Sequence, residues 1–251
     1  FLCLILWVTG LLEMYYYIPS VERAASSVQE ITFLVPFGGL VRNLHFWSAQ
    51  ALAIIAAVHL LRVVLTGAYA KPRRFNYLLG LGLFVIVLLL DFTGYVLRWD
   101  EGIRWALIAG TNLLGSVPGI GEGLVRFVSG NLEPGPAMLI RFYAWHIFGL
   151  TILGGLILVW HLFRVRRDGG IAAPTPPVRA DAARIPRAEL LRREVIVMLV
   201  AGGLLLLVST FVPAPIEQPM DASLVSLAES RAPWFFLWVQ ELLKIGDPFL
   251  W

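Results

Sequence analysis

The four histidines of the chain fall into two pairs with similar spacing. His45 and His59 are 14 residues apart in one apolar run, and His146 and His161 are 15 apart in another. At about 100° per residue, either spacing returns the second ring to nearly the same helix face, about 21–22 Å further along the axis. Imidazoles that face each other from two helices at two depths would suit the axial positions of two six-coordinate haems, which would carry electrons across most of a bilayer.

A packing role and a zinc site both account less well for the histidines. A lone histidine in a membrane helix often packs against its neighbours and bonds to backbone or hydroxyl groups, but four histidines in two matched pairs do not fit that role. Zinc needs four ligands, and each pair offers two nitrogens with no cysteine or carboxylate nearby. We therefore expect His45 to face His146, and His59 to face His161.

Glycines and basic residues occur where two haems would need them. Gly80 and Gly94 repeat the 14-residue spacing in a third apolar run, and Gly10 lies in the first. Glycine lets a flat macrocycle approach the backbone, although membrane helices also use glycine simply to pack closely. Basic side chains that would pair with haem propionates, or else snorkel at helix ends, are Arg42 and Arg141 on one side and Arg62, Lys71 and Arg73 on the other.

The composition indicates a polytopic membrane protein. Of the 251 residues 58% are hydrophobic, and the mean hydropathy is +0.76. The single cysteine, Cys3, excludes a disulfide within the chain, and the apolar stretch at Phe1 suggests that the natural N-terminus lies further upstream. Five runs are long enough, or nearly so, to cross a bilayer: about 1–18, 45–65, 77–97, 139–163 and 195–212.

Basic residues set the expected topology. Loops 62–74 and 164–194 hold 12 basic and 4 acidic residues, whereas the remainder holds 8 and 13. The basic loops should be cytoplasmic, which puts the N-terminus inside and makes the two histidine helices parallel. We expect three regions: a four-helix core over 1–168 with short interfacial helices over 98–138 on the outer side, a cytoplasmic linker over 169–194, and a fifth helix with an outer loop over 195–251.

Several motifs resemble cytochrome b of the quinol-oxidising cytochrome bc complexes. They cover nearly the whole chain and read TGLLEMYYYIPS, LVRNLHFWSAQALAIIAAVHLLRVVLTGAYAKPRRFNYLLG, TGYVLRWDEGIRWA, SVPGIG and IRFYAWHIFGL. The 15-residue histidine spacing, HLLRVVLTG and KPRR are closest to the chloroplast-type branch. That branch splits its cytochrome b into a four-helix protein and a three-helix partner, and here the start of the partner is joined on.

The resemblance implies an all-α fold, in which a four-helix dihaem bundle is joined by a fifth transmembrane helix and outer interfacial helices. It implies two bis-histidine haems b, the lower-potential one on His45 and His146, with quinol and quinone as substrates; an extra covalent haem stays undecided. The implied partners are a Rieske-type iron–sulfur protein, a cytochrome c-type subunit and a subunit with the remaining helices. The complex is expected to be a homodimer in an energy-transducing membrane, and the bacterial cytoplasmic membrane is the expected location. No nucleic acid is expected among its partners.

The resemblance also implies two quinone sites. The quinol-oxidising site on the outer side would be built from residues 94–105, 116–121 and 232–236. The quinone-reducing site on the inner side would lie near the higher-potential haem, with Arg166, Arg167 and Glu194 as candidates.

Two departures from the family pattern affect the outer site. Where the family has Pro-Glu-Trp-Tyr, the chain has Ala232, Pro233, Trp234 and Phe235, and proline cannot accept a proton. Arg98 stands where a proline is usual. The candidate proton acceptors are then Glu241, Asp100 and Glu101, any of which can equally be a solvated surface carboxylate.

Three functions therefore stay open. The first is a bc-type subunit coupled to proton translocation, and the second is a dihaem anchor that passes electrons between quinone and a partner without bifurcation. The third is a helical scaffold or transporter subunit with no cofactor.

Overall fold

The computed structural model of the protein is predominantly helical. It describes residues 1–131, 133–168, 186–220, 233–238 and 241. The helices are α1 (Leu2–Met14), α2 (Ala24–Phe33), α3 (Gly38–Leu65), α4 (Arg74–Val96), α5 (Glu101–Gly115), α6 (Gly121–Val128), α7 (Pro136–Ala144), α8 (Leu150–Arg167) and α9 (Arg187–Phe211). A π turn, Trp145–Gly149, joins α7 to α8, and a 3₁₀ turn covers Trp234–Phe236. Within these described ranges there is no strand, which confirms the predicted all-α class.

Within the part of the chain that the structure describes, four helices are long and apolar enough to cross a membrane. They are α3, α4, the continuous α7–α8 run and α9, with mean hydropathies between 1.8 and 2.3. These match four of the five predicted spans and identify the chain as an integral membrane protein. Helix α1 has 13 residues, which is about 20 Å at 1.5 Å per residue and less than the hydrocarbon core of about 30 Å. Its role as a span stays a prediction.

Helix α9 begins eight residues earlier than the predicted span. The first turns are polar, but Glu189 forms ion pairs with Arg192 at 2.9 Å and Arg193 at 2.7 Å, three and four residues later. Such pairs support a helix where hydropathy alone does not. Residues 187–194 therefore belong to α9 rather than to the expected linker, and residues 169–185 lie outside the described residues.

One compact unit comprises residues 1–12, 39–87 and 152–214. Within it, polar side chains of α3 hold the end of α9. Asn43 donates to the Ser209 carbonyl and accepts from the Ala214 amide, both at 2.8 Å, and the Trp47 indole donates to the Val212 carbonyl at 2.8 Å. These bonds serve backbone groups that a helix end leaves unpaired, which is necessary where water is scarce.

The second unit comprises residues 13–38, 88–151 and 215–251, as far as these are described. It has a buried core in which Ile103 and Leu107 of α5 pack with Met138 and Leu139 of α7. The apolar face of α5 thus turns inward. Helices α5 and α6 are the short helices that the sequence predicts between residues 98 and 138.

Candidate functional site

His45 lies in a pocket formed by two consecutive residues of α1. A Cβ at Gly10 would lie 3.0 Å from Cε1 of the imidazole. The Thr9 hydroxyl oxygen is 2.9 Å from Nδ1 of the same ring. The ring therefore lies close to the α1 backbone at Gly10, and its Nδ1 has a polar partner.

His146 has the same surroundings, supplied by α4. A Cβ at Gly94 would lie 2.8 Å from Cε1 of His146, and the Thr93 hydroxyl oxygen is 3.0 Å from its Nδ1. A Thr-Gly dipeptide thus faces each of the first histidines of the two pairs. We call His45 and His146 the leading histidines, and His59 and His161 the trailing histidines.

His161 has a glycine but no threonine. A Cβ at Gly80 would lie 3.3 Å from its Cε1. Its Nδ1 is buried and makes no hydrogen bond of good geometry, although the backbone carbonyl of Asn76 lies beside the ring. His59 belongs to the same compact unit and lies near His161.

A π turn carries His146. The Leu150 amide bonds to the Trp145 carbonyl, five residues back, and the Thr151 hydroxyl donates to the His146 carbonyl. A π turn holds about one residue more than an α turn and often occurs at functional sites. The 15-residue spacing of this pair is therefore equivalent to the 14-residue spacing of His45 and His59. Spacings of 14 and of 15 residues both bring two histidines to nearly the same face of a regular helix, so the periodicity of the sequence did not reveal the π turn. The one extra residue in the second spacing was the sign of it.

These residues fit haem iron better than other metals. Three imidazoles each lie against a glycine, where the backbone leaves room for a flat group, and the buried Nδ1 of His161 marks a polar atom in an apolar setting. Among the residues that the structure describes, no group of three or more His, Cys, Asp or Glu side chains could hold a metal ion. A nitrogen-only donor set offered from separate helices matches bis-histidine ligation.

Arg42 and Arg141, which the sequence predicts as partners of the haem propionates, donate hydrogen bonds to backbone carbonyls. Arg42, 7% exposed, donates to the Ala214 carbonyl at 3.2 Å. Arg141 donates to the carbonyls of Arg126 and Phe127, the second at 2.9 Å. Pairing of either guanidinium with a propionate stays a prediction.

Basic residues gather where α8 ends and α4 begins. Arg164 and Arg167 pair with Asp168 at 2.9 and 3.1 Å, and Arg73 donates to the Asp168 carbonyl at 3.4 Å. The remaining predicted residues of the inner side are exposed: Arg62, Lys71, Arg166 and Glu194. The structure therefore brings Arg73 and Arg167 together around one aspartate, and the assignment of a quinone site here stays a prediction.

Arg98 and Asp100 form a buried ion pair. The Arg98 guanidinium donates one hydrogen bond of 3.0 Å to Oδ1 of Asp100, and its Nε lies 3.0 Å from Oδ2 as an ion-pair contact; the Asp100 side chain is 1% exposed. The Arg98 guanidinium also lies over the Tyr95 ring, 4.9 Å from its centroid. The ion pair and its one hydrogen bond offset part of the cost of burying both charges. The arginine that departs from the family pattern thus occupies the Asp100 carboxylate in an ion pair.

Glu101 lines a cavity that sequence reasoning missed. The cavity has a volume of about 560 Å³. Its lining consists of Gln29, Phe33, Glu101, Ile216, Glu217 and Gln218. The segment 216–218 is tied to the loop after α4, since the Glu101 amide donates to the Gln218 carbonyl at 3.0 Å. In the sequence, Pro215 and Pro219 flank residues 216–218, and these two prolines indicated that the segment is extended.

The described part of the loop that departs from the family's Pro-Glu-Trp-Tyr begins at Pro233. Phe235 is buried, Trp234 is half exposed, and the Phe236 ring meets Phe92 of α4 edge to face at 5.5 Å. Ala232 lies outside the described residues. Glu241 is exposed.

A buried acid in α4 was also missed. Asp91 is 8% exposed, and its Oδ2 has no hydrogen-bond partner. An acid inside a spanning helix is costly and often functional. The sequence does show this residue, because Asp91 is a charged side chain within the apolar run that precedes Thr93 and Gly94.

Comparisons with known proteins agree on one family. A family profile described as cytochrome b (N-terminal)/b6/petB matches residues 50–219. The chain is 37% identical over 161 residues to a cytochrome b6 of Heliomicrobium gestii, covering 64% of this chain and 76% of that protein. It is 35% identical over 170 residues to cytochrome b6 of Chlamydomonas reinhardtii, covering 67% and 79%.

A solved structure has the same fold. A chain of a hyperthermophilic respiratory Complex III matches with a TM-score of 0.87 at 20% identity, covering 99% of this chain and 68% of that one.

Proposed function

The chain belongs to the cytochrome b N-terminal/b6 family, and on that premise we propose that it carries electrons across the membrane between an outer quinol-oxidation site and an inner quinone-reduction site. It is the cytochrome b component of a bc-type complex, an oxidoreductase of the respiratory or photosynthetic chain. The finer assignment proposed here is two haems, two quinone sites and coupling to proton translocation.

One observation carries the proposal: three of the four histidines pack their imidazoles against glycines. His45 and His146 would hold one haem, and His59 and His161 the other. When bound, haem supplies a one-electron carrier at each position. The protein contributes neutral nitrogen ligands, apolar surroundings that exclude water, and the glycine surfaces on which a flat ring can lie.

Glu101 is the proton acceptor that the geometry favours for quinol. Pro233 has no acidic group, and the Asp100 carboxylate is already engaged by Arg98. Glu101 instead lines the cavity together with Glu217, so a carboxylate there can take a proton from a quinol hydroxyl. The exposed Glu241 stays a second candidate.

The other components follow from the family. We expect a Rieske-type iron–sulfur protein, a cytochrome c-type subunit and a subunit with the remaining helices, in a homodimeric complex. The excess of basic residues in loops 62–74 and 164–194 favours a cytoplasmic N-terminus, and we expect an energy-transducing bacterial membrane.

A redox titration of the visible spectrum of the purified complex tests the proposal. The expected result is two b-type α-bands that titrate at two potentials, with equal haem contents. A single haem or none would overturn the two-haem function, and the absence of absorption would favour the cofactor-free scaffold.

The second candidate is a dihaem anchor without bifurcation, which Pro233 in place of the family glutamate favours. The two are separated by adding quinol to membranes with and without an inhibitor of quinol oxidation. Bifurcation predicts inhibitor-sensitive haem reduction together with an EPR signal from an iron–sulfur partner. Haem reduction that no such inhibitor affects, without an iron–sulfur signal, would establish the anchor.

A further inference from the structure

We propose that Thr9 and Thr93 are positioning residues that fix the tautomer of His45 and His146, and thereby select Nε2 of each ring as the atom that binds iron. The inference rests on the haem ligation proposed above and deepens it, because it gives one hydroxyl beside each leading histidine a part in fixing the tautomer of that ring. Each of the two threonines immediately precedes the glycine on which the ring packs.

The direction of each hydroxyl proton follows from the other bonds of the threonines. Thr9 Oγ1 is 2.7 Å from the Ile5 carbonyl oxygen, and Thr93 Oγ1 is 2.8 Å from the Leu89 carbonyl oxygen. A carbonyl oxygen can only accept, and a hydroxyl has one proton to give. The proton therefore goes to the carbonyl, and the hydroxyl oxygen is left to accept from the histidine.

The ring atom that faces each hydroxyl must then be a donor. Nδ1 lies 2.9 Å from the hydroxyl oxygen in His45 and 3.0 Å in His146. A neutral imidazole carries one N–H, so a proton on Nδ1 leaves the lone pair on Nε2. The ligand tautomer is thus set before any iron binds.

The same bond also changes the ligand strength. A hydrogen bond from Nδ1–H makes the imidazole more basic. A more basic ligand stabilises ferric relative to ferrous iron and lowers the reduction potential. In the part of the chain that the structure describes, no threonine hydroxyl bonds to the rings of the trailing histidines, so their haem serves as the internal reference.

The test replaces Thr93 by valine in the purified complex, which keeps the branched shape and removes the hydroxyl. The α-bands are titrated potentiometrically, and EPR of the ferric haems is recorded. We expect one haem transition to move to higher potential while the other stays in place, and Thr93→Ser to match the wild type. Thr9→Val should move the same transition by less, because the Leu6 carbonyl also lies within hydrogen-bonding reach of His45.

Thr210→Val is the matched control. Thr210 makes the same bond to the carbonyl four residues earlier, Leu206, at 2.8 Å, but it belongs to α9 and has no bond to a histidine. Its potentials should equal those of the wild type.

The outcomes separate the two proposals. If Thr93→Val keeps both haems at unchanged potentials, or if Thr93→Val and Thr93→Ser both lose a haem, the inference is overturned. Loss of a haem in Thr93→Val but not in Thr93→Ser supports it, because the serine restores the hydroxyl. A wild type without two haem transitions would overturn the proposed function instead.

Discussion

The two ends of α4 face two histidines in different ways. At one end, Thr93 and Gly94 offer His146 a hydroxyl and a tight backbone surface. At the other end, Gly80 offers His161 a looser surface, with only the carbonyl of Asn76 near the ring nitrogen. The spacing of glycines along the helix is close to that of the histidines, but the polar neighbours differ. The spacing of residues along the helices thus determines the position of each histidine, and the groups next to its ring determine the hydrogen bonding of its nitrogens.

The strongest way to break this comparison is to remove the ligands singly. His146→Leu and His161→Leu should each abolish one haem transition and leave the other, because each histidine belongs to a different haem. The content of haem b per chain, measured as the pyridine haemochrome, should fall from two to about one. Leu162→Ala, beside His161 but 55% exposed, should retain both haems. Loss of both transitions from either histidine variant, with normal assembly, would contradict independent sites.

A pair of deletions tests the π turn. Deleting Phe148 from the turn should restore an α-helix and leave both histidines on their faces, because the turn holds the extra residue. Deleting Leu156, which is 67% exposed in α8, should rotate His161 by about 100° and cost one haem. The haem content of each purified variant is measured, and we expect it to be unchanged when Phe148 is deleted and lower by one haem when Leu156 is deleted. Equal haem loss in both would refute the view that the turn absorbs the extra residue.

Three glycine substitutions on α4 sharpen the comparison of its two ends. Gly94→Ala places a Cβ 2.8 Å from His146, and Gly80→Ala places one 3.3 Å from His161. We expect a clear loss of haem in the first and a smaller loss in the second, since the closer contact cannot be relieved without moving the ring. Gly82→Ala meets nothing within 4 Å and should behave as wild type. A larger loss in Gly80→Ala than in Gly94→Ala would reverse the ranking of the two ends.

The smallest expected effect concerns Asp91, which lies at the Thr93 end of α4. Asp91→Asn removes a buried carboxylate with an unpartnered oxygen and should stabilise the protein by about 1 kcal/mol or less. Thermal unfolding in detergent measures it, with haem potentials as a second readout. A fall in stability would mean that the carboxylate has a partner in the complex.

The spanning helices and the histidine pairs were predictable because they depend on local properties. An apolar run of sufficient length identifies α3, α4 and α9, and a fixed rotation per residue places His45 and His59 on one face. Helix α9 begins before the predicted apolar run because the Glu189 ion pairs, rather than hydropathy, support its first turns. The pairing of Arg98 with Asp100 and the approach of residues 216–218 to Glu101 depend on tertiary contacts, which no local pattern encodes.

The bonds between α3 and α9 act through space rather than along the chain. Asn43 uses its amide as an additional peptide group, and it would do the same if α9 belonged to another polypeptide. The covalent connection between α8 and α9 then contributes only effective concentration, which confinement in a bilayer already raises. A gene encoding this protein could accordingly be divided, or joined, between α8 and α9 without changing the contacts that hold α9 against α3.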